Sequence, residues 1–183
     1  MLSAAGLEFV CVEVDVDERA LEAQFFRDGG RAGDLATMLA KAKALAGGRA
    51  DPDAYCLGAD QALLLGDELL HKANTFDEAR ARLRELSGRA HVLRSAFALV
   101  RGEDVLHVGF DDATLVMRPL DERALDAYLG LCGAEVLGSV GCYQIEGLGA
   151  NLFERVDGAH STIMGLPILP LLAVLRGLGL LAF

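Results

Sequence analysis

Hydrophobic and polar positions along this chain switch repeatedly between a two-residue and a 3.6-residue period, and the switches divide it into elements. Residues 9–14 alternate and are rich in valine, which predicts a strand running into the acidic string from Glu13 to Glu18. Helical spacing takes over at residues 19–26 and the Gly29-Gly30 pair breaks it. A strong helix is predicted over 34–45, with Asp34 as N-cap, Leu35, Met38, Leu39 and Ala42 on one face, and Gly47-Gly48 as its stop. Lys41 and Lys43 fall toward its C-terminal end, where cations complement the helix dipole. Residues 55–59 read as a short buried strand that halts at Asp60 and Gln61. A second apolar run over 62–65, the turn pair Gly66-Asp67 and Leu69-Leu70 then predict a hairpin leading to His71-Lys72.

Downstream, Thr75 caps a helix over 76–86, with Asp77 and Glu78 in its first turn and Ser87-Gly88 as its stop. Two long strands, 90–101 and 105–117, flank the turn Gly102-Glu103. Pro119 and Asp121 start a helix over 122–131, and a glycine-rich stretch over 133–149 lets backbone approach a ligand closely. A short strand at 152–156 and a helix at 167–176 complete the pattern. Strands mixed with helices, hairpins among them, predict an α/β fold with a mixed twisted sheet and flanking helices, in one domain of 183 residues or two lobes sharing a central cleft.

Composition narrows the partners. At 52% hydrophobic residues the chain can build a packed core, and its net charge of −10 with no Lys/Arg cluster argues against nucleic acid as a partner. An anionic substrate therefore requires a local basic pocket or a masking metal ion. Cys11, Cys56, Cys132 and Cys142 show no C-x-x-C pairing and read as buried free thiols of a reducing cytoplasm. The first ten residues lack a basic leader region, and the apolar run over 163–183 is interrupted by Gly165, Pro167, Pro170, Arg176, Gly177 and Gly179, so a buried helix is expected there and no membrane span. His71, His91, His107 and His160 include no i, i+4 pair, which leaves a histidine metal site or thiol catalyst little support.

Candidate chemistry begins at Asp60. A carboxylate at the end of a buried strand is where α/β proteins commonly place a catalytic or metal-binding group, and the hairpin can return Lys72 toward it; a plain strand-end aspartate and a solvated lysine fit the same residues.

Read in order, several segments resemble the Maf family of nucleoside triphosphate pyrophosphatases: Val14-Asp15-Val16-Asp17-Glu18, Leu39-Ala40-Lys41-Ala42-Lys43-Ala44, Leu57-Gly58-Ala59-Asp60-Gln61, His71-Lys72, Leu86-Ser87-Gly88-Arg89, Gly141-Cys142-Tyr143-Gln144-Ile145-Glu146-Gly147 and Gly165-Leu166-Pro167. The resemblance covers nearly the whole chain, as a single Maf-like domain over 1–183. It implies cleavage of a non-standard or modified nucleoside triphosphate to the monophosphate and pyrophosphate, with Mg²⁺ or Mn²⁺, in the cytoplasm, and it suits a homodimer. By the same resemblance Asp60 matches the catalytic acid, described as proton acceptor, and Glu18, Lys43 and Lys72 match charged cleft residues. Glu18 and Asp60 would hold the metal. Gln61 and Glu146 fall where the family varies with base preference, and this pair is nearer the branch preferring 7-methylguanosine triphosphate than the branch with Thr and Gln. A carboxylate such as Glu146 can accept from the N1–H and N2–H edge of guanine, and N7 methylation makes that base cationic. Ser95 stands where the family usually has Thr, at a position expected to reach the phosphates.

Three departures accompany the resemblance. The family's opening strand and Ser-x-Ser-Pro-Arg-Arg phosphate loop have no counterpart here, since the chain starts at Met1-Leu2-Ser3; Ala73 replaces a proline after the cleft lysine; and Gly138-Ser139-Val140-Gly141 replaces the usual approach to the tyrosine motif. Either the assigned start lies too late or the protein lacks the loop, and in the second case a catalytically impaired nucleotide-binding or regulatory protein is the alternative expectation.

Overall fold

The computed structural model describes residues 1–181, so Ala182 and Phe183, the end of the apolar terminal run, lie outside the described residues. Five strands, β1 (Tyr55–Leu65), β2 (Glu68–Leu70), β3 (Ala90–Arg101), β4 (Asp104–Met117) and β5 (Phe153–Asp157), form one sheet in the order β2-β1-β3-β4-β5. Among the described residues six α-helices accompany it: α1 (Glu18–Arg27), α2 (Leu35–Ala50), α3 (Phe76–Leu86), α4 (Glu122–Cys132), α5 (His160–Ile163) and α6 (Ile168–Gly177). The pairs β1–β2 and β4–β5 are antiparallel, and β3 and β4 are neighbours joined by the two-residue turn Gly102-Glu103. The α/β class with a helix-flanked sheet is as the sequence implies.

The chain divides into two compact units. One comprises Met1–Gln61, Arg94–Asp112 and Ala159–Phe183; the other comprises Ala62–Leu93 and Ala113–Gly158.

In the first unit the strand pleat sorts side chains onto two faces. Phe97 and Leu99 of β3 pack with Leu166, Leu171 and Leu175, joined by Leu57 and Ala59 of β1, so this face is covered by α6. Ala98 and Val100 pack on the other face with Ala44 of α2, joined by Cys56 and Val108. Glycine permits α2 to lie close against β1: a Cβ on Gly58 would stand 2.2 Å from the Ala40 carbonyl oxygen and 2.5 Å from the Ala44 nitrogen. Only a residue without a side chain fits there.

In the second unit Thr75 caps α3 by accepting from the Glu78 amide at 3.2 Å, and Asp121 caps α4 by accepting from Ala124 at 2.8 Å. Leu83 and Leu86 of α3 and Leu125 and Leu129 of α4 are buried, while Arg80 and Arg84 reach Glu122 and Asp126 across the exposed sides of the same helices. Such exposed pairs contribute little to stability.

Several expectations are corrected. Residues 7–17 belong to no strand, and Phe9, Val10 and Val12 are exposed; an alternating pattern makes a strand only where a neighbour completes the hydrogen-bond ladder. Helix α2 runs through Gly47-Gly48 to Ala50 because both glycines meet close neighbours, Gly47 at Cys56 and Gly48 at the Gly102 carbonyl, where a Cβ would stand at 2.1 Å. Asp34 holds the N-cap position without a side-chain capping bond. Strand β1 continues past Asp60 to Leu65 instead of halting, which places Asp60 within the strand. All four cysteines are free, but only Cys142 is buried; Cys11 is exposed and Cys56 and Cys132 are partly exposed.

Candidate functional site

Three charged side chains meet in the first unit. Lys43 on α2 places its Nζ 2.6 Å from Asp60 Oδ1 on β1 and 3.0 Å from Glu18 Oε1 at the start of α1. The close approach at Gly58 brings the stretch of α2 carrying Lys43 over the strand two residues before Asp60. Asp17 fixes the start of α1 by accepting from the Ala20 amide at 2.9 Å, and so presents Glu18 in the first helical turn.

The side chain of Asp60 is 14% exposed and that of Glu18 is 50% exposed, so the group is open at Glu18 and closed at Asp60. Burial raises the Asp60 carboxyl above the ordinary carboxylate range, outweighing the pull of Lys43, with Glu18 and Glu22 pushing the same way as burial. Burial pulls the Lys43 ammonium down, but its bonds to Asp60 and Glu18 win and leave it raised. The two directions agree: two carboxylates share one cation, so the cation is held firmly and the more buried carboxylate is under-compensated.

Next to this group, Arg94 of β3 grips Asp112 of β4 through two bonds of 2.7 and 2.6 Å and donates to the Gly33 carbonyl at 2.9 Å, which ties the entry of α2 to the sheet. Sequence reading did not single out Arg94 or Gly58. A lone arginine in a strand and one glycine of a common Gly-Ala-Asp triplet carry no local signal; their roles depend on what lies across from them.

Gln61 and Ser95 point away from Asp60. The Gln61 amide nitrogen donates to Ser95 Oγ at 2.9 Å and to the carbonyls of Thr162 and Ile163 at 2.9 and 3.0 Å. Ser95 is fully buried and its hydroxyl donates to the Thr162 carbonyl at 2.6 Å. Burial removes the basis for expecting Ser95 to reach phosphates.

Lys72 and Glu146 belong to the second unit, and both are exposed. The loop carrying Glu146 is pinned at its tyrosine. Tyr143 is buried, hydrogen-bonded through its hydroxyl to His91 Nε2 at 2.7 Å and packed edge-on against Phe153. Ser139 Oγ accepts from the Tyr143 amide and donates to its carbonyl, and the Tyr128 hydroxyl donates to the Cys142 carbonyl. Cys142 takes a positive φ of 58°, held there by these bonds. Beside the loop a cavity of about 200 Å³ is lined by Tyr128, Cys132, Glu135, Gln144 and Gly147 among others.

Among the described residues no group of three or more His, Cys, Asp or Glu gathers as a metal site. Glu18 and Asp60 supply two carboxylates within reach of one cation, a donor set that suits a hard ion completing its shell from phosphate oxygens and water. No described helix is long and apolar enough to cross a membrane.

Residues 1–178 match the Maf-like protein family, and the chain belongs to it. It is similar to the 7-methyl-GTP pyrophosphatase of Mesorhizobium japonicum, with 51% identity over 181 residues, covering 98% of this chain and 90% of that protein. The 7-methyl-GTP pyrophosphatase of Brucella abortus is 44% identical over 176 residues, covering 96% and 88%. The nucleoside triphosphate pyrophosphatase of Bradyrhizobium diazoefficiens is 43% identical over 182 residues, covering 100% and 89%.

Proposed function

We propose that this protein is a nucleoside triphosphate pyrophosphatase, that 7-methyl-GTP is its preferred substrate, and that it acts on the nucleotide pool of the cytoplasm. The observation that carries the reading is the Asp60–Lys43–Glu18 group, found in a chain of this family whose similar relatives include two named for 7-methyl-GTP.

The reaction joins water oxygen to the α-phosphorus and breaks the bond from that phosphorus to the oxygen bridging the α and β phosphates, so that pyrophosphate leaves. Asp60 is the proton acceptor: burial raises its carboxyl above the ordinary carboxylate range, which makes it a stronger base than an exposed aspartate. Lys43, already charged and oriented by two carboxylates, can turn toward phosphate oxygens and offset the negative charge that builds on the leaving group. Lys72 supplies a further cation to the phosphates. Glu18 and Asp60 would hold Mg²⁺ or Mn²⁺, which would mask phosphate charge and favour an oxygen nucleophile. With alignment and charge supplied, no covalent intermediate is required.

At the base end Glu146 accepts from the N1–H and N2–H edge of guanine, and its charge favours the cationic 7-methylated base over guanine itself. Pyrophosphate release from a panel containing 7-methyl-GTP, GTP, UTP and 5-methyl-UTP, with Mg²⁺, tests the reading. Turnover with 7-methyl-GTP ahead of the others is expected. No pyrophosphate from any of them overturns the activity, and UTP ahead of 7-methyl-GTP overturns the preference alone.

A further inference from the structure

The three central strands carry two polar groups at one level, on opposite faces. Asp60, Arg94 and Asp112 take the α2 side with Lys43 and Gly33. Their chain neighbours Gln61, Ser95 and Asp111 take the α5 side, where they meet Thr162 and Ile163. Adjacent residues of a strand alternate faces, so this division follows from the pleat.

The second group is a directed chain of hydrogen bonds. Thr162 Oγ1 donates to Asp111 Oδ2 at 2.7 Å, and Ser95 Oγ donates to the Thr162 carbonyl at 2.6 Å. The single Ser95 hydroxyl proton is thereby committed, and its oxygen meets Gln61 as an acceptor. That fixes which end of the Gln61 amide faces inward: the nitrogen, shared among Ser95 Oγ and two carbonyls of α5. Ser95 and Thr162 have no exposed surface. Removing any one member takes a hydrogen bond from its neighbours in a largely buried set, so the set holds its geometry as a unit.

Gln61 is one peptide bond from Asp60, and a planar peptide passes a displacement at one Cα directly to the next. The Lys43–Asp60 contact of 2.6 Å is the dimension most exposed to such a displacement. We propose that Gln61, Ser95, Thr162 and Asp111 are positioning residues that hold β1 from the face opposite Asp60, and that this network acts on the reaction by placing the Asp60 carboxylate. This rests on the pyrophosphatase reading.

Ser95→Ala and Thr162→Val, assayed for pyrophosphate from 7-methyl-GTP and from UTP, test it. We expect kcat to fall by about tenfold with both substrates, KM to stay within about twofold, and the preference between them to be unchanged, since a small displacement of a catalytic group costs rate on every substrate alike. Ser95→Thr, which keeps the hydroxyl, should restore kcat. In an Asp60→Asn background Ser95→Ala should cost nothing further, whereas a loss from general loosening would appear in both backgrounds. The Gln61 side-chain amide protons, followed by NMR without substrate, should exchange slowly in the wild type and fast in Ser95→Ala. A shifted base preference, an equal loss in the Asp60→Asn background, or fast Gln61 exchange in the wild type, each with pyrophosphate release intact, overturns this proposal alone. Absence of pyrophosphate from every triphosphate removes the activity and this proposal together.

Discussion

Asp60 and Lys43 each owe their state to the other. The carboxyl is raised by burial, and the lysine is what keeps it from rising further. The acid limb of kcat/KM is therefore expected above the ordinary aspartate value of about 3.9. Lys43→Met removes the two contributions that lower the Asp60 carboxyl, so its limb should move to higher pH as overall activity falls. A pH–rate profile with the same acid limb in both proteins contradicts the pairing. At this scale the sequence was partly legible. Asp60 was identifiable as a carboxylate at the end of an apolar run, Glu18 and Lys43 only through the resemblance to the Maf family, and the structure brings those three together. Gln61 and Ser95 were singled out separately through the same resemblance, but their direction was not legible: whether a strand residue faces α2 or α5 depends on register, which no local pattern states.

Among elements, those with complete local signals were read correctly. Helix α3 begins after Thr75 and ends at Leu86, and β3 spans Ala90–Arg101, because cap, period and stop residues agree. At Gly47-Gly48, taken as punctuation, the reading failed, while Gly29, Gly66, Gly88 and Gly102 do end or turn their elements. Gly47 and Gly48 lie inside α2, and their missing side chains serve neighbours far away in sequence, at Cys56 and Gly102. Residues 9–14 failed for the converse reason, since strand propensity alone does not supply a partner strand. Gly58 tests the importance of such close approach. Gly58→Ala places a methyl against the α2 backbone at Ala40 and Ala44, which cannot yield as a flexible side chain would. We expect urea unfolding to show a loss of about 3 kcal/mol together with reduced pyrophosphate release, as α2 moves off β1 and takes Lys43 with it. Thr75→Ala in α3, by comparison, should cost about 1 kcal/mol and leave activity alone. Equal effects on activity from the two substitutions would contradict the role given to Gly58.

For the molecule as a whole, acidity acts through a buried histidine as well as through carboxylates. His91 is 1% exposed, bonded to Tyr143, and burial lowers its pKa to about 4. A histidine with a folded pKa below its unfolded value of 6.5 supports the fold fully above pH 6.5, and that support is lost as pH falls toward 4. At about 1.4 kcal/mol per pH unit the loss approaches roughly 3 kcal/mol. Unfolding free energies measured by urea from pH 7 to 4 should decline over this window, and the decline should be shallower in His91→Gln. Identical slopes would mean that His91 does not carry the effect. The same histidine anchors Tyr143 in the loop of Glu146, so acid should loosen that loop early.

The central claim, that Asp60 performs the chemistry, is tested most directly by Asp60→Asn assayed for pyrophosphate from 7-methyl-GTP alongside a thermal melt. Ionised Asp60 is disfavoured by the fold, and Lys43 retains Glu18, so the variant should melt at or above the wild-type temperature at pH 7. Its turnover should fall by about a thousandfold or more, as expected for loss of a general base together with a charged ligand. A folded Asp60→Asn protein releasing pyrophosphate at the wild-type rate would contradict the account.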